Sequence, residues 1–162
     1  MAETKGITYV RMMLDVLSKK EMNLTKLLEL TKEQETLLKA EEFDEAEFEL
    51  LIEKKGGNLC KLEEIDNGFQ SIYNRVAEEI QTNKEAYKEQ ILEMQELITR
   101  VTDLGVKLSA LEEKNKNALE VILQYKKQNI RQFKVSKQTA SAYYKNMSGM
   151  QTGASYFMDQ KQ

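Results

Sequence analysis

Five residue types, Glu, Lys, Leu, Ala and Arg, supply about 46% of the 162 residues, which is typical of long helices and coiled coils. With no proline and only seven glycines, the composition excludes a turn-rich all-β fold. The absence of histidine and the single cysteine, Cys60, argue against an enzyme, a zinc site and an internal disulfide. We therefore expect an all-α protein with no catalytic residues, no metal ligands and no cofactor.

The net charge of -3 is unevenly distributed along the chain. Residues 1–125 carry 17 basic and 26 acidic side chains, whereas residues 126–162 carry seven basic and one acidic. This asymmetry indicates a C-terminal segment that contacts a partner, the alternative being a merely solvated basic end. Arginines are not clustered, so nucleic acid is not an expected partner.

Because the sequence shows neither a signal-peptide core nor about 20 consecutive apolar residues, we expect a cytoplasmic protein without membrane insertion.

The first predicted helix covers about residues 7–40. Its apolar face is marked by residues that recur at multiples of seven, namely Val10, Leu17, Leu24 and Leu38. The methionines Met12, Met13 and Met22 are expected in its core. The helix is expected to end near Glu41, just before a capping sequence that starts the next helix.

The second predicted helix covers about residues 44–81 and begins at a capping box formed by Asp44 and Glu47. We expect it to form a tight antiparallel hairpin with the first helix. The Gly56-Gly57 pair predicts a kink or a close helix crossing, and Asn67-Gly68 predicts a break. Cys60 is expected in the core or at its boundary.

The third predicted helix covers about residues 84–134, after a second capping box at residues 82–85. Three neighbouring apolar tracks favour packing against both preceding helices over a two-track coiled-coil dimer. Asn115 and Asn129 fall on the middle track, where buried polar residues fix register. Glu112-Glu113, like other adjacent acidic pairs, is expected on the solvent-exposed face, without an acid–base role.

Residues 136–162 have the polar composition of a flexible tail. The tail also contains aromatic and methionine side chains typical of a segment that orders on a partner: Tyr143, Tyr144, Met147, Met150, Tyr156, Phe157 and Met158. The predicted organisation is an elongated antiparallel bundle of three to four long helices over residues 1–135, followed by this partner-binding tail.

Residues 37–64 combine a leucine-rich helix end, a short acidic turn and a second helix start, and residues 113–122 contain a charged-Asn-x-x-Ala-Leu motif. The tail contains tyrosine, glycine and Ser/Thr and has an aromatic-Asp-x-Lys stretch within residues 156–161. Together these stretches resemble the FlgN-type export chaperones of the flagellar type III secretion system. The sequence departs from the family pattern at residues 56–57 and 67–82.

The resemblance implies a cytoplasmic chaperone that binds C-terminal helical segments of the hook-associated proteins of the hook-filament junction, prevents their premature assembly and delivers them to the export gate. It also implies that the gate recognises Tyr143 or Tyr144. We place the substrate contacts at Val121, Ile122, Tyr125, Ile130 and Phe133, with an intramolecular core role as the alternative for Ile122 and Tyr125. A self-associating structural coiled-coil protein is the alternative function, and homodimer formation is left open.

Overall fold

The computed structural model describes residues 2–126, with side chains from Gly6 onward, and no strand occurs within that range. Three helices of 38 residues each follow one another: α1 (Ala2–Lys39), α2 (Glu45–Thr82) and α3 (Lys88–Tyr125). Each is about 57 Å long at 1.5 Å per residue. The prediction of an all-helical fold is confirmed for this part of the chain. The predicted end of the third helix at 134 and the tail from 136 to 162 lie outside the described residues.

The core consists of three apolar clusters, each built from all three helices. The first contains Val10, Met13, Leu17, Ile72, Val76, Tyr87, Met94, Leu97 and Ile98. The second contains Leu24, Leu27, Leu59, Leu62, Val101 and Leu108. The third contains Leu38, Phe48, Ile52 and Leu119. Full burial of one such side chain stabilises the fold by about 1.5–3 kcal/mol. Among the three helices, α1 is the one that packs closely against both others.

The start of α2 is fixed by the capping sequence. Asp44 adopts an extended conformation (φ -88°, ψ 98°), and its side chain accepts a hydrogen bond of 3.1 Å from the backbone amide of Glu47. The rings of Phe43 and Phe48, which flank this cap, lie 5.3 Å apart. Together the polar cap and this hydrophobic staple set the direction in which the chain enters α2.

The second predicted capping box is wrong. Thr82 is the last residue of α2, and its hydroxyl donates a 2.8 Å hydrogen bond to the carbonyl of Glu78 instead of capping α3. The N-cap position of α3 is occupied by Tyr87, whose side chain makes no capping hydrogen bond. The physical reason is that Tyr87 is only 5% exposed, so burial of its ring determines where α3 begins.

At one end of the bundle, the backbone of α1 at Gly6 lies close to the side chains of Glu79 and Tyr87. The hydroxyl of Tyr87 donates a 2.9 Å hydrogen bond to Oε1 of Glu79. A Cβ atom on Gly6 would lie 2.2 Å from that same oxygen and 2.7 Å from the tyrosine hydroxyl. Only glycine therefore fits here without displacing the Glu79 side chain.

The glycines of the second helix behave differently from the prediction. The helix runs without interruption through Gly56, Gly57 and Gly68, so Asn67-Gly68 is not a break. A Cβ atom at any of these three glycines would meet nothing within 4 Å. The expected close helix crossing at Gly56-Gly57 is therefore wrong.

Three side chains expected in or near the core lie at the surface. Cys60 is exposed, and Met12 and Met22 are 44% and 72% exposed, whereas Met13 is buried as expected. The reason is helical geometry, because these three positions fall off the stripe that the buried leucines define. Within residues 2–126, no helix combines the length and apolarity needed to cross a membrane.

Candidate partner-binding groove

An open groove of about 590 Å³ lies where the turn between α1 and α2 meets the end of α3. Its lining residues are Leu38, Ala40, Glu41, Glu42, Phe43, Val121, Ile122, Tyr125 and Lys126. Apolar side chains from both sides face the groove, and two exposed carboxylates stand on the turn. The groove therefore combines an apolar surface with an acidic rim.

The groove is supported from below by the third core cluster. Leu38 belongs to that cluster, and Phe43 and Ile122 pack against it. The ammonium of Lys126 lies 5.8 Å from the ring centroid of Phe43, a cation–π contact that links the end of α3 to the turn. The capped start of α2 thus positions one wall of the groove, and α3 supplies the other.

The structure brings three of the predicted substrate-binding residues to this groove. Val121 is 64% exposed and Tyr125 is 91% exposed, whereas Ile122 is partly buried and packs against the third cluster. Tyr125 is therefore not a core residue, while Ile122 contributes to both core and groove. The remaining predicted site residues lie outside the described residues: Ile130, Phe133, Tyr143 and Tyr144.

A layer of buried polar side chains crosses the bundle between the second and third clusters. It takes two residues from α1, one from α2 and two from α3, namely Thr31, Gln34, Lys55, Glu112 and Asn115. On each helix these positions lie between leucines or isoleucines of the two neighbouring clusters. We call this set the polar layer.

The polar layer is held by hydrogen bonds that join all three helices. The ammonium of Lys55 donates hydrogen bonds to Oε1 of Glu112 and to Oε1 of Gln34, the latter with a length of 2.5 Å. The hydroxyl of Thr31 lies 2.8 Å from the same Glu112 oxygen, and the side-chain amide of Asn115 donates to the Thr31 carbonyl at 3.0 Å. Because these side chains can meet only at one axial alignment of the three helices, the layer fixes the register of the helices.

The electrostatics of the polar layer are dominated by burial. Lys55 is fully buried and Glu112 is only 2% exposed. Desolvation lowers the pKa of Lys55 from 10.5 to about 8, and the Glu112 carboxylate partly opposes this shift. A buried pair of this kind depends on both partners, because loss of one leaves an uncompensated charge in a low-dielectric interior.

The polar layer was only partly predictable. Burial of Asn115 is confirmed, but the expected exposure of Glu112 is wrong. The signal that could have revealed the layer is the heptad series of α1, in which Thr31 occupies the position between Leu24 and Leu38. Lys55 likewise lies seven residues before Leu62, on the apolar stripe of α2.

Surface ion pairs tie α1 to α3 near the polar layer. Glu35 lies 3.1 Å from the ammonium of Lys114, and this hydrogen bond lowers the pKa of Glu35. Nearer the middle of the bundle, Glu21 pairs with Arg100. Solvent and salt screen such exposed pairs, so they only assist the register that the buried layer sets.

Comparison of the chain with protein-family models, with curated proteins and with solved structures found no match. Among the described residues, no three His, Cys, Asp or Glu side chains are grouped so that they could hold a metal ion. The fold and the groove define the class of the protein as all-α, with three long described helices and an apolar groove at one end.

Proposed function

We propose that the protein is a non-catalytic, cofactor-free cytoplasmic chaperone that holds an amphipathic helical segment of another protein in its end groove. The observation that supports this proposal most strongly is the apolar groove itself, in which Val121 and Tyr125 are exposed beside Leu38 and Phe43. Exposed large apolar side chains grouped in a concave site are typical of protein-binding surfaces. The resemblance to FlgN-type chaperones supplies the proposed partners, the C-terminal helical segments of hook-filament junction proteins.

Binding of such a segment would follow the helix-in-groove mode. A terminal helix made for assembly carries an apolar stripe, and covering that stripe prevents premature oligomerisation. In this chain the stripe would bury Tyr125, an aromatic side chain of the kind that often anchors interfaces. Ile130 and Phe133, which follow in the sequence, would extend the same contact.

The rest of the bundle positions the groove. We infer an antiparallel α1–α2 hairpin, since the end of α1 and the start of α2 share the third cluster. The polar layer lies about 10 Å along α1 from the groove, measured from Thr31 to Leu38. By fixing the register of α3, the layer holds Val121 opposite the turn.

Delivery to the export gate is assigned to Tyr143 and Tyr144 by the resemblance. The Tyr143→Ala/Tyr144→Ala variant is expected to bind junction proteins normally and to bind the gate less strongly. Loss of junction-protein binding with retained gate binding would contradict this division of roles. Affinity measurements of the same variant with each partner separately distinguish the two results.

Calorimetric titration of the full chain with a junction protein's C-terminal segment tests the proposed function. The expected result is saturable binding with one segment per chain. Sedimentation equilibrium of the free chain addresses the alternative: a concentration-dependent, high-order assembly that ignores the segment would identify a self-associating structural protein. A monomer or a dimer that binds the segment supports the chaperone.

A further inference from the structure

The rim of the groove and the C-terminal part of the same chain have opposite charge. Glu41 and Glu42 stand exposed at the rim, where Lys126 is the basic lining residue. Residues 137–158 contain two lysines, Lys137 and Lys145, and no acidic residue. The described body is acidic overall, which adds to the attraction between the groove and this segment.

The segment also contains apolar side chains of the kind that pack in an apolar groove. Its aromatic and methionine residues are Tyr143, Tyr144, Met147, Met150, Tyr156, Phe157 and Met158. Tyrosine, phenylalanine and methionine are residues that fill irregular apolar sites and anchor interfaces. The segment therefore matches the groove in both hydrophobicity and charge.

We infer that residues 137–158 occupy the end groove of their own chain when no partner is bound. The inference deepens the proposed function, because it assigns to the same groove an intramolecular competitor for the partner segment. The occupant is a defined stretch of this chain, and the contacts are apolar packing against Val121 and Tyr125 with lysines beside Glu41 and Glu42.

The connecting chain is long enough for this contact. Lys126 lines the groove, and Tyr143 follows it 17 positions later in the sequence. If the third helix continues to residue 134, as the sequence predicts, its end lies only about 12 Å beyond Lys126, and the nine further positions to Tyr143 reach up to about 30 Å when extended. Tethering gives an effective concentration on the order of millimolar, so even weak intrinsic affinity fills the groove.

Occupation by the segment would lower the apparent affinity for a partner. The partner binds only the fraction of molecules in which the groove is open, so its apparent dissociation constant rises as that fraction falls. Removal of residues 137–162 should therefore strengthen partner binding. Removal of residues 126–162 should weaken it, because Ile130 and Phe133 are then lost as well.

Paramagnetic broadening in the full-length chain tests the inference without any partner. A nitroxide is attached in a Cys60→Ser background at Glu120→Cys, an exposed site on α3 beside the groove. The control label is placed at Asn74→Cys, an exposed site about 45 Å along α2 from its start. The amide signals of residues 137–158 are expected to lose most of their intensity with the first label and to keep it with the second.

The result that would overturn the inference is equal broadening, or none, with the two labels. A mixture of labelled chain and unlabelled, isotope-enriched chain identifies the source of the segment, because broadening in the mixture would mean a second copy and would refute the intramolecular contact. Glu41→Gln/Glu42→Gln should weaken the broadening, whereas Glu63→Gln/Glu64→Gln, which changes an exposed pair far from the groove, should not. Since no partner is present, failure of this test is distinct from failure of the proposed function.

Discussion

Replacement of Lys55 by methionine tests whether the polar layer holds the three helices in register. Methionine keeps an unbranched stem of similar length but removes the ammonium that pairs with Glu112 and Gln34. Glu112, at 2% exposure, would then carry its charge into the interior without its cation. Breaking a buried pair in this way costs about 3–5 kcal/mol, against a total stability of about 5–15 kcal/mol for an ordinary domain.

The double variant Lys55→Met/Glu112→Met should recover most of that loss. It removes both charges, and replacing a buried pair by apolar residues is neutral or stabilising by about 1–4 kcal/mol. Gln34 loses the Lys55 hydrogen bond, at a cost of about 1–3 kcal/mol, whereas Asn115 keeps its bond to the Thr31 carbonyl. The two effects largely offset each other, so the double variant should lie within about 2 kcal/mol of the natural sequence.

Urea unfolding followed by far-ultraviolet circular dichroism measures both values, since the free energy of unfolding falls linearly with denaturant. Lys54→Met is the matched control, because Lys54 is the exposed neighbour and its replacement should change stability by less than about 0.5 kcal/mol. The reasoning fails if Lys55→Met unfolds like the Lys54 control. It also fails if the double variant is as unstable as the single one.

Three further predictions concern pH and local structure. The pKa of Lys55 is lowered to about 8 in the folded state, so between about pH 8 and 10.5 the unfolded chain binds more protons and the free energy of unfolding should rise with pH. Urea unfolding at each pH should show this rise in the natural chain and not in Lys55→Met. Parallel pH curves for the two proteins would contradict the prediction. Gly56→Ala, at an open helical position, should stabilise by up to about 1 kcal/mol; Gly6→Ala should raise the melting temperature less, because displacement of Glu79 from Tyr87 offsets the same gain in helix propensity, and equal shifts would refute the close approach. Asp44→Ala should cost about 1 kcal/mol by leaving the Glu47 amide uncapped, and an unchanged urea midpoint would show that the cap is dispensable.

The helical core was predictable because burial follows a local period. Val10, Leu17, Leu24 and Leu38 recur on one stripe, and all four are buried. The exposure of Met22 follows from the same geometry, but a hydrophobic side chain off the stripe is easily mistaken for core. Local sequence thus predicts the helices better than it predicts whether each apolar side chain is buried.

The polar layer was harder to predict because its partners are distant in sequence. Lys55 and Glu112 are 57 residues apart and become a pair only after α2 and α3 have both packed against α1. From sequence, a charged residue on an otherwise charged helix is ordinarily assigned to solvent. The indications in the sequence are positional: Asn115 lies on the middle apolar track of the third helix, Thr31 interrupts the heptad series of the first, and Lys55 lies seven residues before Leu62.

The groove was half predictable for a related reason. Val121 and Tyr125 were predicted as contact residues from the end of the third helix. Leu38, Phe43 and the acidic pair of the turn were not, since they reach the groove through packing of the hairpin against α3. A site that is built from two segments distant in sequence requires the fold before its second wall can be recognised.

The dissociation constant of a junction protein's C-terminal segment for the Tyr125→Ala variant tests the central claim most directly. Truncation of an anchoring aromatic costs about 2 kcal/mol or more, so the constant should rise about 30-fold or more relative to the natural chain. Val121→Ala should raise it less, and Val106→Ala, which changes a similarly exposed valine elsewhere on α3, should leave it unchanged. Equal affinity of the natural chain, Tyr125→Ala and Val106→Ala, or no binding to any of them, would contradict the account of the end groove.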